Sequence, residues 1–507
     1  MSGGAALDAR PEGLKGWQLV LAGLSLALAN FVVVLDITIA NVSVPHIAGS
    51  LAVSPSQGTW VITSYSVAEA ICVPLSGWLA ARFGAVRVFL TAIIGFALFS
   101  LLCGISRSLE ALIVFRILQG LSGGPIMPMS QTLMVRIFPP EKVGMALGLW
   151  SMTVVVAPIL GPIFGGTISD SWSWHWIFFI NLPVVAFCAV FAVRYVQRFE
   201  TPTVQRPIDY IGLVLLVIWV GALQIMLDEG RNADWFASPF ICTLAVIAVI
   251  GFAAFLIWEL TEANPVVDLS VFRQRGYSAA VAAQSIAYAG FFSAIVVIPL
   301  FLQTNLGYTA TYAGYATAFV GVLAVLMSPV AAGMMARYDV RMLVSFGVCW
   351  LGAISLLRTG WVSQMDFFTI ALPQFLQGLG MPFFFIGTTS LALGSVRPDQ
   401  TASAAGLQNF MRTLAGAFAT SLATTMWERE AKMAHEDLAG LVHPLPQGTG
   451  FTAEQGRMVL ERIVQTESVT LATNAVFWGC TALFALAAIL VWLAPRPRSD
   501  VDLSAAH

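Results

Sequence analysis

The sequence predicts an all-α membrane protein with fourteen transmembrane helices, arranged as six, two and six. Three observations support this prediction. Of the 507 residues, 58% are hydrophobic and 10% are charged, a balance foreign to soluble globular domains. Apolar runs of about 20 residues, the length that crosses a bilayer, recur between polar or Gly/Pro breaks. Short segments of the first half also recur in the second half at a nearly constant spacing.

The predicted spans follow one another closely along the chain. Gly and Pro within an apolar run need not end a span, because neighbouring helices can satisfy the backbone groups they release. The first run is too long for a signal-peptide core and is taken as a retained helix. The spans cover residues 17–41, 57–80, 86–105, 109–135, 143–167, 177–196, 209–227, 238–258, 278–302, 311–335, 341–360, 366–391, 402–427 and 469–494.

The distribution of Lys and Arg predicts the orientation. An even number of spans places both termini on one side, and that side holds sixteen Lys and Arg residues against seven on the other. Basic residues concentrate in cytoplasmic loops. We therefore expect both termini to be cytoplasmic.

An internal repeat divides the chain. Residues 116–122 (RILQGLS) match 374–380 (QFLQGLG) at a shift of 258, and 146–149 match 404–407 at the same shift. Parallel halves with a site at their interface near the membrane midplane are typical of alternating-access transporters. The predicted parts are a cytoplasmic tail (1–16), a six-helix bundle (17–200), two inserted helices (201–270), a second six-helix bundle (271–495) and a cytoplasmic tail (496–507).

Three ionisable residues in predicted spans are candidates for proton coupling. Arg116 lies in an apolar stretch. Insertion of a charged side chain at the centre of a membrane-spanning helix costs about 2.5–3.5 kcal/mol, and arginine cannot avoid this cost by losing its proton. Asp36 can bind and release a proton as water access changes sides; its alternative role is a structural hydrogen bond with Thr38 and Asn41. Glu69 can take a second proton or meet a cationic substrate, or it can face a watery crevice without a transport role. For Arg116 the alternative is a static ion pair or a hydrogen bond to backbone carbonyls that holds helices together.

Other polar and aromatic residues are candidates for a substrate cavity. Aromatic side chains beside glycine can line a cavity for lipophilic compounds, although packing against core or lipid is the alternative. Arg412 is a second intramembrane cation, which can instead extend to the cytoplasmic surface. The candidates are Asn41, Gln119, Phe291, Phe292, Gln377, Phe384 and Arg412.

Four motifs in order resemble the major facilitator superfamily and, within it, the fourteen-span drug:proton antiporters of the EmrB type. They are residues 35–45 (LDITIANVSVP), 77–84 (GWLAARFG), 116–120 (RILQG) and 157–166 (APILGPIFGG), the last followed by 174–183 (WHWIFFINLP). The resemblance implies the major facilitator fold and proton-driven multidrug efflux. Ala81 departs from the family loop, which usually has Asp there, and so puts in doubt a gate that needs that carboxylate. The residues implied to serve conformational change are Gly77, Arg82, Gly84, Pro158, Gly161, Pro162, Gly165 and Gly166.

Other chemistries find little support in the sequence. There is no phosphate-binding Gly-x-x-x-x-Gly-Lys-Ser/Thr motif, the histidines have no metal-ligand spacing, and a net charge of −2 does not suggest a nucleic-acid partner. We expect no enzymatic activity, cofactor or metal. The alternatives are a carrier for one organic acid or other metabolite and, from another class, a polytopic membrane enzyme or sensor.

The segment 428–467 is the longest predicted connection and is predicted to be extracytoplasmic. Its residues 452–455 (TAEQ) predict a helix-capping box before a short amphipathic helix. The resemblance implies a bacterial inner-membrane protein that works with an EmrA-like periplasmic adaptor and a TolC-like outer-membrane channel. The segment is then a candidate docking hairpin, and a solvated connection is the alternative.

Overall fold

The computed structural model describes residues 14–204, 207–335, 337–441 and 452–495, and the regular structure in these ranges is helical throughout. Helices suit this chain because a lipid-embedded backbone must satisfy its hydrogen bonds internally. The helices of the first bundle are α1 (Trp17–Ser50), α2 (Pro55–Gly58), α3 (Trp60–Cys72), α4 (Ser76–Phe83), α5 (Ala85–Gly104), α6 (Leu109–Gly123), α7 (Ile126–Ile137), α8 (Pro140–Ser171), α9 (Trp176–Phe179) and α10 (Asn181–Phe191). The later helices are α11 (Tyr210–Glu229), α12 (Pro239–Thr261), α13 (Arg275–Thr304), α14 (Ala310–Met335), α15 (Val340–Arg358), α16 (Phe367–Gly394), α17 (Thr401–Leu441) and α18 (Ala453–Val491).

Eleven helical segments of the described chain are long and apolar enough to cross a membrane, or twelve if the bent helix α8 counts as one span. The predicted spans 57–80 and 402–427 are not among them. In the first, Pro74 lies in the turn between α3 and α4, so neither helix is long enough. In the second, α17 is long, but polar residues such as Gln408 and Arg412 lower its hydropathy. The number fourteen therefore stays a prediction.

The predicted span 109–135 is found as the candidate span Leu109–Ile137, which Gly124 and Pro125 divide into α6 and α7. The predicted length of one connection was wrong. The predicted connection 428–467 is mostly helical, because α17 continues to Leu441. Its capping box forms, with Thr452 Oγ1 accepting from the Gln455 amide, but it begins the long helix α18 and not a separate short one. Residues 442–451 of this segment, most of the N-terminal tail and the C-terminal tail lie outside the described residues.

The packing of the helices repeats between the halves. In the first half, α1 packs on α8 and α10, α3 on α6, and α5 on α6. In the second half, α13 packs on α17 and α18, α14 on α16, and α15 on α16. These are corresponding pairs under the shift of about 258 residues. The inserted helices α11 and α12 pack on each other, and α11 also contacts α3 and α17.

The two halves meet mainly through α8 against α14 and α7 against α17. A close approach also occurs where α4 crosses α17 at the predicted cytoplasmic end. A Cβ placed on Gly77 would lie 2.6 Å from the Ser403 Cα, so only glycine permits this contact. The crossing brings the two bundles together at that end.

Candidate functional site

A buried ion pair between α1 and α6 lies at the centre of the first half. The Arg116 Nη1 is 2.5 Å from the Asp36 Oδ2, and the two residues are 0% and 2% exposed. The Arg116 Nε also donates to the Val61 carbonyl of α3 at 3.0 Å, and the guanidinium lies 4.1 Å from the Tyr65 ring centroid. The structure thus brings together two of the three residues predicted for proton coupling.

Two amide side chains complete the shell of Asp36. The Gln119 Nε2 donates to the Asp36 Oδ1 at 3.1 Å, and the Asn181 Nδ2 of α10 donates to the same oxygen at 2.7 Å. The Gln119 Oε1 accepts from the Arg116 Nη1 at 2.9 Å. The sequence reasoning missed Asn181. The signal available for it was a carboxamide within the motif 174–183.

This arrangement couples a titratable group to helix packing. A charged Asp36 accepts hydrogen bonds from α6 and α10, so it links three helices. A proton on the carboxylate would remove its attraction for Arg116, whose Nη2 has no hydrogen-bond partner. Since a buried guanidinium needs a compensating charge or acceptors, protonation of Asp36 would favour a different arrangement of these helices.

Glu69 and Arg412 are also buried but form no direct pair. Glu69 is 5% exposed in α3, and no ion pair within 4.0 Å is found for it in the described part of the chain. The Arg412 guanidinium lies between the Trp150 and Tyr288 rings, 5.4 and 5.8 Å from their centroids. It is only 4% exposed, so the alternative that it extends to the membrane surface was wrong.

A cavity of about 540 Å³ lies between the halves, toward the predicted extracytoplasmic end. Three predicted cavity residues line it, namely Asn41, Phe291 and Gln377. The prolines of the α8 motif and Gly166 line it as well. The other four candidates, Gln119, Phe292, Phe384 and Arg412, are not part of this lining, and their substrate role stays a prediction.

The opposite end of the interface is closed by polar side chains. The Asn409 Nδ2 of α17 donates to the Gln131 Oε1 of α7 at 2.7 Å, which joins the two halves directly. The Gln408 Nε2 donates to the Gln284 Oε1 at 2.6 Å within the second half. We call Gln131, Gln284, Gln408 and Asn409 the polar layer. The cavity and the polar layer thus lie toward opposite ends of the interface.

The loop motif 77–84 has a different electrostatic partner from the one the family pattern suggests. Gly84 has a φ of 93°, a left-handed conformation that favours glycine, and it starts α5. The Glu200 carboxylate accepts from the Val86 and Arg87 amides at 2.9 and 3.1 Å. A carboxylate at a helix N-terminus is stabilised by the helix dipole. Glu200 thus supplies a negative charge beside Gly84, at the end of this motif, while Arg82 lies over the Trp78 and Phe83 rings.

The α8 motif allows a close approach of two helices. A Cβ on Gly161 would lie 2.5 Å from the Thr38 Cβ, and a Cβ on Gly165 would lie 2.9 Å from the Ile39 carbonyl oxygen. The segments 142–158 and 160–171 are inclined by 43° to each other. Pro158 lies at this bend, in accord with its missing amide donor.

Comparisons with known proteins agree with this architecture. A family model described as Major Facilitator Superfamily matches residues 26–420. The chain belongs to the major facilitator superfamily. This superfamily member is 44% identical over 499 residues to the multidrug export protein EmrB of Escherichia coli (strain K12), covering 96% of this chain and 97% of that protein.

Two further comparisons extend this result. The chain is 42% identical over 494 residues to the fatty acid resistance protein FarB of Neisseria gonorrhoeae, covering 96% of this chain and 97% of that protein. Its fold resembles the human organic anion transporter MFSD10 (TETRAN), with a TM-score of 0.55 at 14% identity over 92% of this chain and 98% of that one. The protein is thus a multi-pass membrane protein with a major facilitator fold.

Proposed function

We propose that the chain is a multidrug efflux transporter that exports lipophilic compounds in exchange for protons by alternating access. Export of multiple drugs is supported by 44% identity, over nearly the whole chain, to the multidrug export protein EmrB. A carrier for one organic acid or other metabolite is not favoured by this similarity. Proton coupling and alternating access are further parts of the proposal, and the support for them is the geometry of the site.

The observation that carries proton coupling is the buried pair of Asp36 and Arg116. Its carboxylate accepts three hydrogen bonds from side chains of two other helices. Gain or loss of one proton therefore changes the attraction between α1 and its neighbours. One proton moved through about 100 mV supplies roughly 2.3 kcal/mol, enough for a substrate gradient above tenfold.

Alternating access is supported by a difference between the two ends of the interface that separates the halves. The 540 Å³ cavity lies toward one end, and the polar layer joins the halves toward the other. In the cycle that we propose, the polar layer separates while α1 and α13, which line the cavity from the two halves, close over it. Glu69 and Arg412 lie between these two regions as candidates for a second proton or for substrate contact.

The setting of the transporter is also part of the proposal. We place it in a bacterial inner membrane with both termini in the cytoplasm, as the Lys and Arg distribution predicts. We divide it into bundles at 17–200 and 271–495, with inserted helices at 201–270. We further propose that it works with an EmrA-like adaptor and a TolC-like channel, and that the helical hairpin 428–467 is the docking element.

The test is transport by purified protein in proteoliposomes. A pH gradient and a voltage are imposed independently, and accumulation of a lipophilic fluorescent dye is followed against its own gradient. We expect accumulation that depends on the pH gradient and collapses with a protonophore. Dye movement that only follows its own gradient, with no response to pH or voltage, would show that the protein is not a proton-coupled exporter.

A further inference from the structure

Arg358, the last residue of α15, is a fully buried cation without a carboxylate partner in the described chain. It is 0% exposed, and no Asp or Glu of the described residues lies within 4.0 Å of its guanidinium. Its Nη2 donates to the Gln374 Oε1 at 3.0 Å and to the Gln377 Oε1 at 2.5 Å. Its Nε and Nη1 have no hydrogen-bond partner.

The guanidinium fixes the orientation of the two glutamines. Because guanidinium groups only donate hydrogen bonds, both amide oxygens must face Arg358, and both NH₂ groups then face away from it. Gln374 and Gln377 line the 540 Å³ cavity, and the Gln374 Nε2 has no hydrogen-bond partner. The cavity lining therefore includes two glutamines that lie against a permanent positive charge.

The remaining wall is suited to an apolar group. Residues of α13, including Phe291, Ile295 and Ile298, line the cavity beside the glutamines. Among the described lining residues, the ionisable side chains are His46 and Asp170, whose Nε2 and Oδ1 atoms are 3.1 Å apart. Both are well exposed, so this pair lies at the solvent-accessible part of the cavity and the Arg358 charge dominates the buried part.

The internal repeat makes the missing partner of Arg358 apparent. Gln374 and Gln377 occupy the positions that Arg116 and Gln119 occupy in the first half, at the shift of 258 residues. The same shift carries Asp36, the acid of the first half, to position 294, where the second half has alanine. The second half thus has a buried arginine and two glutamines, but it lacks a carboxylate equivalent to Asp36, which neutralises Arg116 in the first half.

We propose that Gln374 and Gln377, oriented by Arg358, form an anion-recognition site for amphipathic organic anions. The acidic group of the ligand would accept hydrogen bonds from the glutamine NH₂ groups, and its apolar body would lie along α13. Arg358 acts as a positioning residue and supplies the compensating charge. The inference rests on the proposed function, because it takes this cavity to be the one that holds the exported compound.

Binding to the purified full-length protein tests the site. The probes are 1-naphthylacetate, its neutral amide 1-naphthylacetamide, and the cation 1-naphthylmethyltrimethylammonium, which share one aromatic body. Equilibrium dialysis gives the three dissociation constants. We expect the anion to bind at least about tenfold more tightly than the amide, since hydrogen bonds to a charged acceptor are the stronger kind.

Three variants and one control separate recognition from structure. Gln377→Leu and Arg358→Gln should each remove most of the difference between the anion and the amide. Because Arg358→Gln could fail to fold, Gln377→Glu serves as well: its carboxylate would pair with Arg358, abolish preferential anion binding and spare cation binding. The control is Gln303→Leu, at a cavity-lining glutamine that donates to the Pro299 carbonyl and makes no bond to Arg358. It should leave the anion-to-amide ratio unchanged.

Two outcomes would overturn the site. One is wild-type protein that binds the anion no more tightly than the amide, and the other is an equal loss of all three probes in Gln377→Leu and Gln377→Glu. The proteoliposome assay distinguishes this failure from that of the proposed function. Wild-type protein that exports neutral dye on a pH gradient but shows no anion preference refutes only the anion site.

Discussion

Asp36 holds α1 to two other helices through one carboxylate. Its Oδ2 pairs with Arg116 of α6, and its Oδ1 accepts from Gln119 of α6 and Asn181 of α10. Each donor is a side chain that could rotate away, whereas the carboxylate is common to all three contacts. Protonation at this one residue therefore alters several helix contacts together.

Asp36→Asn should fold and insert but lose proton-driven transport. Asn retains the size and some hydrogen bonds of Asp but cannot titrate. It also leaves Arg116 without its counter-charge, and breaking a buried pair in this way costs about 3–5 kcal/mol. We expect a lower melting temperature, which the double variant Asp36→Asn/Arg116→Gln should partly restore without restoring transport. Uphill transport at the wild-type rate by the Asn variant would exclude Asp36 from the coupling.

Arg116→Lys should impair transport strongly, although it keeps the positive charge. Lysine keeps the charge but cannot donate at once to Asp36, Gln119 and the Val61 carbonyl as the planar guanidinium does. We expect at least about a tenfold loss of pH-driven transport, the scale of one lost charge-assisted hydrogen bond. The matched control is Arg107→Lys, at an exposed position outside the helices, which should transport normally. Normal transport by Arg116→Lys would show that the charge alone suffices.

The sequence allowed part of this site to be predicted. Asp36, Arg116 and Gln119 are conspicuous because polar residues within apolar runs require a partner. Arg358 could not be recognised in that way, since it lies two residues from the end of the predicted span 341–360, where a basic residue ordinarily reaches the membrane surface. Its burial depends on contacts with Gln374, Gln377 and the Phe477 ring, which come from other helices.

At the scale of helices, the contact of α1 with α8 depends on small residues. In a membrane, helices are held together largely by close packing, and glycine permits the closest approach. Gly161 and Gly165 lie against Thr38 and Ile39, two to three residues beyond Asp36. The packing of α8 is thereby placed next to the titratable carboxylate.

Gly161→Ala should separate α1 from α8 and impair transport. The added methyl group would lie 2.5 Å from the Thr38 Cβ, so one helix must move. We expect a lower melting temperature and slower dye transport. Gly479→Ala in α18 is the control, because a Cβ on Gly479 would have no neighbouring atom within 4 Å. Equal behaviour of the two variants would show that the α1–α8 contact tolerates a wider spacing.

Helix positions followed from the apolar runs, but helix ends often did not. The runs could be recognised because lipid imposes a minimum apolar length. The ends of α17 and α18 extend past the apolar part into sequence rich in Glu, Lys and Arg, which is polar but still has high helix propensity. Hydropathy does not report such extensions. The capping box at Thr452 did mark the start of α18 correctly.

At the scale of the whole molecule, the polar layer should control access from the predicted cytoplasmic end. Gln131→Leu removes two side-chain hydrogen bonds between the halves, the one that Asn409 donates to Gln131 and the one that Gln131 donates to Gln408. We expect a cysteine introduced by Ser403→Cys, beside Gly77, to react faster with a membrane-impermeant maleimide in inside-out vesicles. Gln465→Leu, at an exposed position of α18, is the control and should not change the rate. An unchanged rate in Gln131→Leu would show that closure does not depend on these bonds.

The predicted docking hairpin should not be required for transport by the isolated protein. Replacing residues 434–460 with a short Gly/Ser linker spares the ion pair between Arg231 and Glu428 and the buried Val464. We expect proteoliposome transport to persist, while co-purification of a periplasmic adaptor and drug resistance of whole cells are lost. A linker of equal length inserted after Gln205, on the predicted cytoplasmic side, should not affect adaptor binding. Adaptor recovery at the wild-type level would place docking elsewhere.

The length of α17 has a mechanical consequence. Its 41 residues correspond to about 60 Å of helix, roughly twice the hydrocarbon thickness of a bilayer. Because α17 and α18 extend from the second bundle into the predicted docking segment, any rotation of that bundle would carry the described ends of both helices with it. At about 20 Å above the membrane, a rotation of about 15° would displace a helix end by about 5 Å. In the cycle that we propose, a partner bound to these helix ends would therefore be displaced once in every transport cycle.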